Sequence, residues 1–214
     1  MKIAVITCTT ENRKWLYDLT NPTKEKYCKL FGADYIFRTD VYYDKDYLPG
    51  WNKIPFILDN LNKYDYVMWV DDDAGFVRFD ENIFEYCLDL LKEDKSLVIC
   101  KDFNGINSGV MFIKSNEFSK HLFATIWKNR KLYKDNHHGH PGIMEQPAII
   151  DMCNIYTEDV VIGDGKKINS YDKCYAKSLV NQRNENSVIL HIASGKKWKE
   201  AHKDLIRKLY ANYK

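Results

Sequence analysis

Three adjacent carboxylates, Asp71, Asp72 and Asp73, follow directly on the apolar run Tyr66-Val67-Met68-Trp69-Val70. Neighbouring like charges repel, and keeping them ionised beside a core is costly without a counter-charge. A divalent cation supplies one. Carboxylate oxygens suit Mg²⁺ or Mn²⁺, ions that commonly take one or two carboxylates together with substrate phosphates. In an extended segment Asp71 and Asp73 fall on one side and form the better ligand pair. Asp72 then points away, toward a ribose or a sugar hydroxyl. A solvated acidic turn is the competing reading, so the setting of the triplet has to decide.

Other groups that could do chemistry are fewer. His191 ends a buried-looking strand and is followed by Ser194-Gly195-Lys196. His137, His138 and His140 sit in a Lys- and Asn-rich stretch, residues 129–142, with no acidic neighbours to orient them as metal ligands. Acceptor contact by a surface loop fits them better. The six cysteines are scattered with no Cys-x-x-Cys pair, which predicts reduced thiols and no cysteine-bound zinc. No side-chain pair reads as a nucleophile with its base. The segment Ile6-Thr7-Cys8-Thr9-Thr10 contains no glycine. A metal-dependent nucleotidyltransferase, which would normally carry a Gly-rich phosphate loop there, therefore ranks second. A nucleotide-sugar-binding protein without turnover is the alternative outside enzymology.

The elements that must position these residues follow from the hydrophobic pattern. Short β-rich runs at residues 3–8, 34–38, 66–70, 97–101, 109–113 and 188–191 alternate with helical patterns at 22–31, 51–61, 81–91 and 117–128. Asn21 and Pro22 read as cap and first residue of the first helix. Such alternation predicts an α/β fold, a mostly parallel central sheet with helices on both faces. In that architecture ligands collect beyond the carboxyl ends of the strands, where the run ending at Val70 delivers its acids.

With 214 residues, 45% of them hydrophobic, the chain can bury one good core, and 1–214 reads as a single domain, or one domain of a longer chain. A net charge of +2, from 32 basic and 30 acidic residues, gives no global field for nucleic acid. No apolar run approaches the ~20 residues needed to span a bilayer, and the N-terminus reads as a strand, not a secretory signal; a cytoplasmic location is the expectation. Residues 196–214 set Trp198, Leu205, Leu209 and Tyr213 among lysines. A helix docked on the domain is expected, with peripheral membrane contact as its alternative.

Taken in order, several segments resemble one group of enzymes. The acidic triplet and its strand resemble the Asp-x-Asp region of GT-A glycosyltransferases, and more narrowly of glycosyltransferase family 34, the galactosyl/mannosyl/xylosyltransferase group. Asn21 to Cys28 with Gly32 to Tyr35, Trp51-Asn52-Lys53-Ile54, Asn107-Ser108-Gly109-Val110, Glu145-Gln146-Pro147-Ala148 and His191 to Lys196 are similar to further segments of that group, in the same order. The resemblance implies a GT-A, Rossmann-like fold. It also implies sugar transfer from a UDP-sugar to a glycan or glycoprotein hydroxyl, with retention of anomeric configuration and Mn²⁺ or Mg²⁺ as cofactor. It assigns roles by position. Asp71, Asp73 and His191 would hold the metal, and Lys53, Gly195 and Lys196 would meet the diphosphate. Thr7 and Thr9 would line the base pocket. Asp102, Asn107 and Ser108 would face the donor sugar, with Glu145 and Gln146 near the anomeric carbon. Members of the group usually carry an N-terminal membrane anchor, none is expected within these residues, and residues 129–142 match nothing in the group.

Overall fold

The structure, a computed structural model, describes residues 1–39, 46–92, 94–133, 145–172, 180–193 and 196–213, the Lys196 side chain excepted. Its centre is a six-stranded sheet built from β1 (Ile3–Thr9), β2 (Asp34–Thr39), β3 (Tyr66–Val70), β5 (Leu97–Asp102), β6 (Gly105–Lys114) and β7 (Val160–Ile162). A separate two-stranded ribbon pairs β4 (Ala74–Phe76) with β8 (Ile189–His191). The strand order in the large sheet is β2-β1-β3-β6-β5-β7. Strand β1 runs parallel to both β2 and β3, β7 is parallel to β5, and β6 is antiparallel to its neighbours β3 and β5. The α/β fold with a mostly parallel sheet is as expected; β6 is the strand that makes it mixed.

Alternation along the strands sends side chains to two cores. Ala4, Ile6, Val67, Trp69, Ile99 and Met111 pack against α2 (Lys53–Leu61), α4 (Glu117–Lys128) and α5 (Gln146–Ile155). Ile3, Val5, Met68, Val70, Val98 and Phe112 face the other way, toward Tyr27 of α1 (Lys14–Phe31) and Phe84 of α3 (Ile83–Leu90). Helices on both faces follow.

Helix α1 corrects the sequence reading. It begins at Lys14, with Pro22 inside it and Gly32, at φ 70°, as its left-handed cap. Asn21 is no cap: its side chain accepts a hydrogen bond from the Tyr35 hydroxyl at 2.7 Å. Burial of Leu16 and Leu19 on the turns before Pro22 outweighs the hydrogen bond that the proline cannot make. Strands β4 and β7, three residues each, were not predicted because so short a segment shows no period.

Two features of the fold shape the rim of the sheet. The β5–β6 register shifts between Ile99 and Cys100, so that Ile99 pairs with Met111 but Cys100 with Asn107. The intervening Ser108, Gly109 and Val110 are left without partners on β5, a bulge that aims them at the end of β3. At the C-terminus, α7 (Lys196–Ala201) and α8 (Lys203–Tyr210) fold back on the domain. Ile206 and Tyr210 join Leu16, Leu19, Leu190 and Ile192 in a third apolar cluster. The expected docked helix is thus two helices. Among the described residues, no helix is long and apolar enough to cross a membrane.

Candidate active site

β1 has parallel neighbours on both sides, reached by connections that leave in opposite directions. This is the switch point where open α/β sheets keep their ligand crevice. The ends of β1 and β3 meet there. The triplet does not continue β3 as an extended segment; it forms a turn closed by the Ala74 amide on the Asp71 carbonyl at 3.1 Å. Every carbonyl of that turn has a donor. Buried Lys24 of α1 reaches the Asp71 carbonyl at 2.9 Å, Thr20 Oγ1 reaches that of Asp72 at 2.7 Å, and the Ile192 amide reaches that of Asp73 at 2.9 Å. The Asp71 amide in turn donates to the Gly109 carbonyl at 2.8 Å. With its backbone so fixed, the turn holds its carboxylates in set directions.

Asp72 points away from the other two. It accepts from the Thr9 hydroxyl and from Arg13, at 2.5 Å from Nε and 2.6 Å from a terminal nitrogen. Asp71 and Asp73 converge with His191. One ligand atom from each of the three lies within 4.8 Å of the others. His191 Nε2 is 3.1 Å from Asp73 Oδ1 and 3.8 Å from Asp71 Oδ2. Despite the short approach, Asp73 Oδ1 is buried and makes no hydrogen bond. An orphaned buried carboxylate oxygen is costly, and two carboxylate oxygens with one imidazole nitrogen form a donor set that suits a divalent cation. The residues fit such an ion. The other oxygen, Asp73 Oδ2, is met by Lys199 of α7 and, at 3.4 Å, by Arg13. Burial alone would push the Asp73 carboxyl upward, but the charges of Lys199, His191 and Arg13 outweigh it and hold it well below the usual carboxylate range. Burial acts on Lys24 beneath the turn in the opposite sense and brings its ammonium down to about 8, against the pull of the three aspartates.

Lys53 ties this clamp to a second cluster. On a surface helix such a lysine would face solvent; here only 4% of the residue is exposed. Its ammonium lies 2.7 Å from Glu145 Oε1, 3.2 Å from Asp71 Oδ1, and 3.1 Å from the Ser108 carbonyl. Burial would lower its pKa, but Asp71 and Glu145 raise it above the ordinary lysine value. Gln146, next along, accepts from the Ser108 amide and hydroxyl, both at 3.3 Å. Glu145 Oε2 is buried without a hydrogen-bond partner.

On the β6 side, Asn107 donates to Asp102 Oδ2 at 2.8 Å, and the Tyr171 hydroxyl donates to the same oxygen at 2.8 Å. Gly109 carries no side chain for a local reason: a Cβ there would stand 2.2 Å from His191 Cε1 and 2.9 Å from Asn107 Oδ1. The Asn107-Ser108-Gly109 motif therefore contributes the Asn107 amide, two Ser108 oxygens that accept from Lys53, the Ser108 N–H and O–H that donate to Gln146, and a space for the histidine ring.

The sequence matches the profile of the galactosyl transferase GMA12/MNN10 family over residues 3–93 and 80–211. The chain belongs to that family. Among curated relatives, the alpha-1,2-galactosyltransferase of Schizosaccharomyces pombe is 26% identical over 162 residues, 59% of this chain and 42% of the relative. A second protein of that yeast, an uncharacterized alpha-1,2-galactosyltransferase, is 29% identical over 161 residues, 57% of this chain and 41% of its own length. This family member thus spans about two-fifths of the curated relatives it matches. Its fold is that of the GT-A glycosyltransferases. A glycosyltransferase involved in glycosylation of the major capsid of PBCV-1 superposes with a TM-score of 0.72 at 14% identity, covering 94% of this chain and 100% of the other. An active-site mutant of LgtC does so with a TM-score of 0.62 at 12% identity, covering 98% and 94%.

In this family member the rim gathers Thr9, Lys53, Asp71, Asp72, Asp73, Asp102, Asn107, Ser108, Glu145, Gln146 and His191. Thr7 lies beneath them, 0% exposed, with its hydroxyl donating to the Val70 carbonyl at 2.7 Å. Gly195, the Lys196 side chain and the three histidines of 137–140 lie outside the described residues. Arg13, Lys24, Lys199 and Asn169 were not singled out from the sequence. Arg13 follows the first strand at the end where ligands gather, which was a usable signal. Lys199 is one of several lysines in its stretch, and nothing in the sequence separates it from the others.

Proposed function

We propose that this chain is a metal-dependent glycosyltransferase that moves a sugar, with retention, from a UDP-sugar to a hydroxyl of a glycan or glycoprotein. The observation that carries this reading is the buried, unbonded Asp73 Oδ1 facing His191 Nε2 and Asp71 at the switch point of the sheet. Asp71, Asp73 and His191 would hold Mn²⁺ or Mg²⁺, and the bound ion would supply Lewis-acid neutralisation of the diphosphate. Thr9 and Arg13 fix the direction of Asp72, which would meet the ribose or a sugar hydroxyl of the donor. Among the described residues Lys199, Lys53 and Arg13 reach the carboxylates of the clamp and would answer phosphate charge; Lys196 and Gly195 are proposed to do so as well. Asp102 and Asn107 would bind sugar hydroxyls. Glu145 and Gln146, held by Lys53 and Ser108, would face the anomeric carbon and stabilise positive charge developing there.

The test combines binding with turnover. UDP with Mn²⁺ should raise the thermal stability of the wild type, and a panel of UDP-sugars should include one from which Mn²⁺ elicits UDP release. Asp73→Ala should lose the Mn²⁺-dependent stabilisation and keep its fold. Equal stabilisation of wild type and Asp73→Ala would refute the clamp. UDP-sugar binding with no release across acceptors would point to a binding protein without turnover.

A further inference from the structure

The ring nitrogens of His191 do not have equal partners. Nε2 faces the acids, whereas Nδ1 lies 2.8 Å from Asn169 Oδ1. Asn169 is wholly buried and follows α6 (Gly165–Ile168). Its chain is pinned to β8 by reciprocal backbone bonds: the Ser170 amide donates to the Ile189 carbonyl at 3.0 Å, and the His191 amide to the Ser170 carbonyl at 2.8 Å.

Which atom of each amide points where follows from chemistry. The Gly109 amide is a donor only, and it lies 2.8 Å from the Asn107 side chain, so the atom it meets is the oxygen. Asp102, as a carboxylate, is an acceptor only, so the Asn107 atom at 2.8 Å is the NH₂ group, in agreement. The Asn107 oxygen also lies 3.1 Å from Asn169, which must therefore present its own NH₂ group there. The remaining atom of Asn169 is then its oxygen, and it can only accept. His191 Nδ1 is consequently the protonated nitrogen, and the Nε2 of a neutral ring carries a lone pair toward Asp71 and Asp73. One donor and one acceptor that cannot change sense, the Gly109 amide and the Asp102 carboxylate, thus set the tautomer of a histidine two side chains away.

We propose that Asn169 is a positioning residue: it holds His191 as the Nδ1–H tautomer, so that Nε2 is ready to bind the cation. The inference rests on the metal clamp of the proposed function. Histidine ligands depend on such an acceptor for orientation and basicity, and loss of one typically weakens metal binding by about 10- to 100-fold. It also links the metal side of the crevice to Asp102 and Asn107, so both sides share one hydrogen-bonded chain.

The first measurement needs no variant. In metal-free wild-type protein, long-range proton–nitrogen correlation spectra should place the proton of the neutral His191 ring on Nδ1. A proton on Nε2 would overturn the proposal. Asn169→Leu removes the acceptor at similar volume and should yield mixed tautomers, with Mn²⁺ binding weaker by about tenfold or more. If wild type binds Mn²⁺ and Asn169→Leu binds it equally well, the positioning role is overturned while the clamp stands. Wild-type protein that binds no Mn²⁺ in the presence of UDP overturns the clamp, and this inference with it.

Discussion

The acids and the groups that answer them come from different parts of the molecule. Asp71, Asp72 and Asp73 hang from β3 in the middle of the large sheet, and their backbone is secured by α1 from below and by Gly109 from the side. His191 and Lys199 stand on the small ribbon and the C-terminal helices, and Asn169 follows α6; the ribbon's Ala74, Phe76 and Ile189 pack into one face of the main core, and the C-terminal helices are held by a smaller apolar cluster. The first region derives its precision from a sheet with a core on both faces. The second derives it from one core face under the ribbon and from a few polar side chains. A change to the buried ion pair that braces the acid side should therefore appear mainly as lost stability, and a change to the answering side mainly as altered affinity.

The largest effect should come from breaking the ion pair that braces the acid side. Lys53→Met leaves Glu145 buried without its cation and removes a partner of Asp71. Removing one member of a buried pair typically costs about 3–5 kcal/mol, because the charge left behind is uncompensated. Denaturant unfolding should show a loss of that order. Lys53→Met combined with Glu145→Gln should recover a good part of it. A single variant as stable as wild type would mean that the brace carries little of the stability assigned to this region.

Gly109→Ala attacks the contact between the two regions. The added methyl would occupy the space of the His191 ring, 2.2 Å from Cε1 and 2.7 Å from Nδ1. The ring must move, and the clamp loses its nitrogen. Mn²⁺ affinity should fall on the order of a hundredfold, the upper part of the range seen when the surroundings of a metal ligand are damaged. That corresponds to about 2.7 kcal/mol. The change should be read in a metal titration in the presence of UDP. Unchanged affinity would separate His191 from the metal site.

How much of this was legible in the sequence follows the same division. Five of the six strands of the large sheet read well because burial imposes a pattern that side-chain chemistry reveals; β7, three residues long with none of them buried, did not. Asp71 to Asp73 stood out because three acids after an apolar strand conflict with burial unless something compensates them. Asn107, Glu145 and Lys53 entered through resemblance, and the geometry supplies their reasons: Lys53 looked like an ordinary solvent-facing helix residue until its burial between two carboxylates was seen. The start of α1 was misplaced because Pro22 is a strong local signal, and tertiary burial of Leu16 and Leu19 overrode it. Asn169 left no trace: a single amide in a short polar run has no periodicity, and its role exists only through partners distant in sequence.

The smallest of the expected effects tests how firmly the answering side is held. The Tyr210 hydroxyl, buried at the end of α8, donates to the Leu190 carbonyl at 2.6 Å and lies against the Gly75 amide. It thereby sits between the two strands of the ribbon, one residue before His191. Tyr210→Phe keeps the ring and removes the oxygen, which leaves a buried carbonyl short of a donor. The expected loss is about 1 kcal/mol, typical of one net hydrogen bond. Because Leu190 adjoins His191, the proposed metal ligand, Mn²⁺ affinity should weaken as well, by roughly the factor of 5 that 1 kcal/mol represents at most. Unfolding free energy and a metal titration on the same variant separate the two readouts. A stability loss with wild-type affinity would show that β8 keeps its place through Ile206 and the rest of the apolar cluster, and that the answering side is more rigid than its few polar contacts suggest.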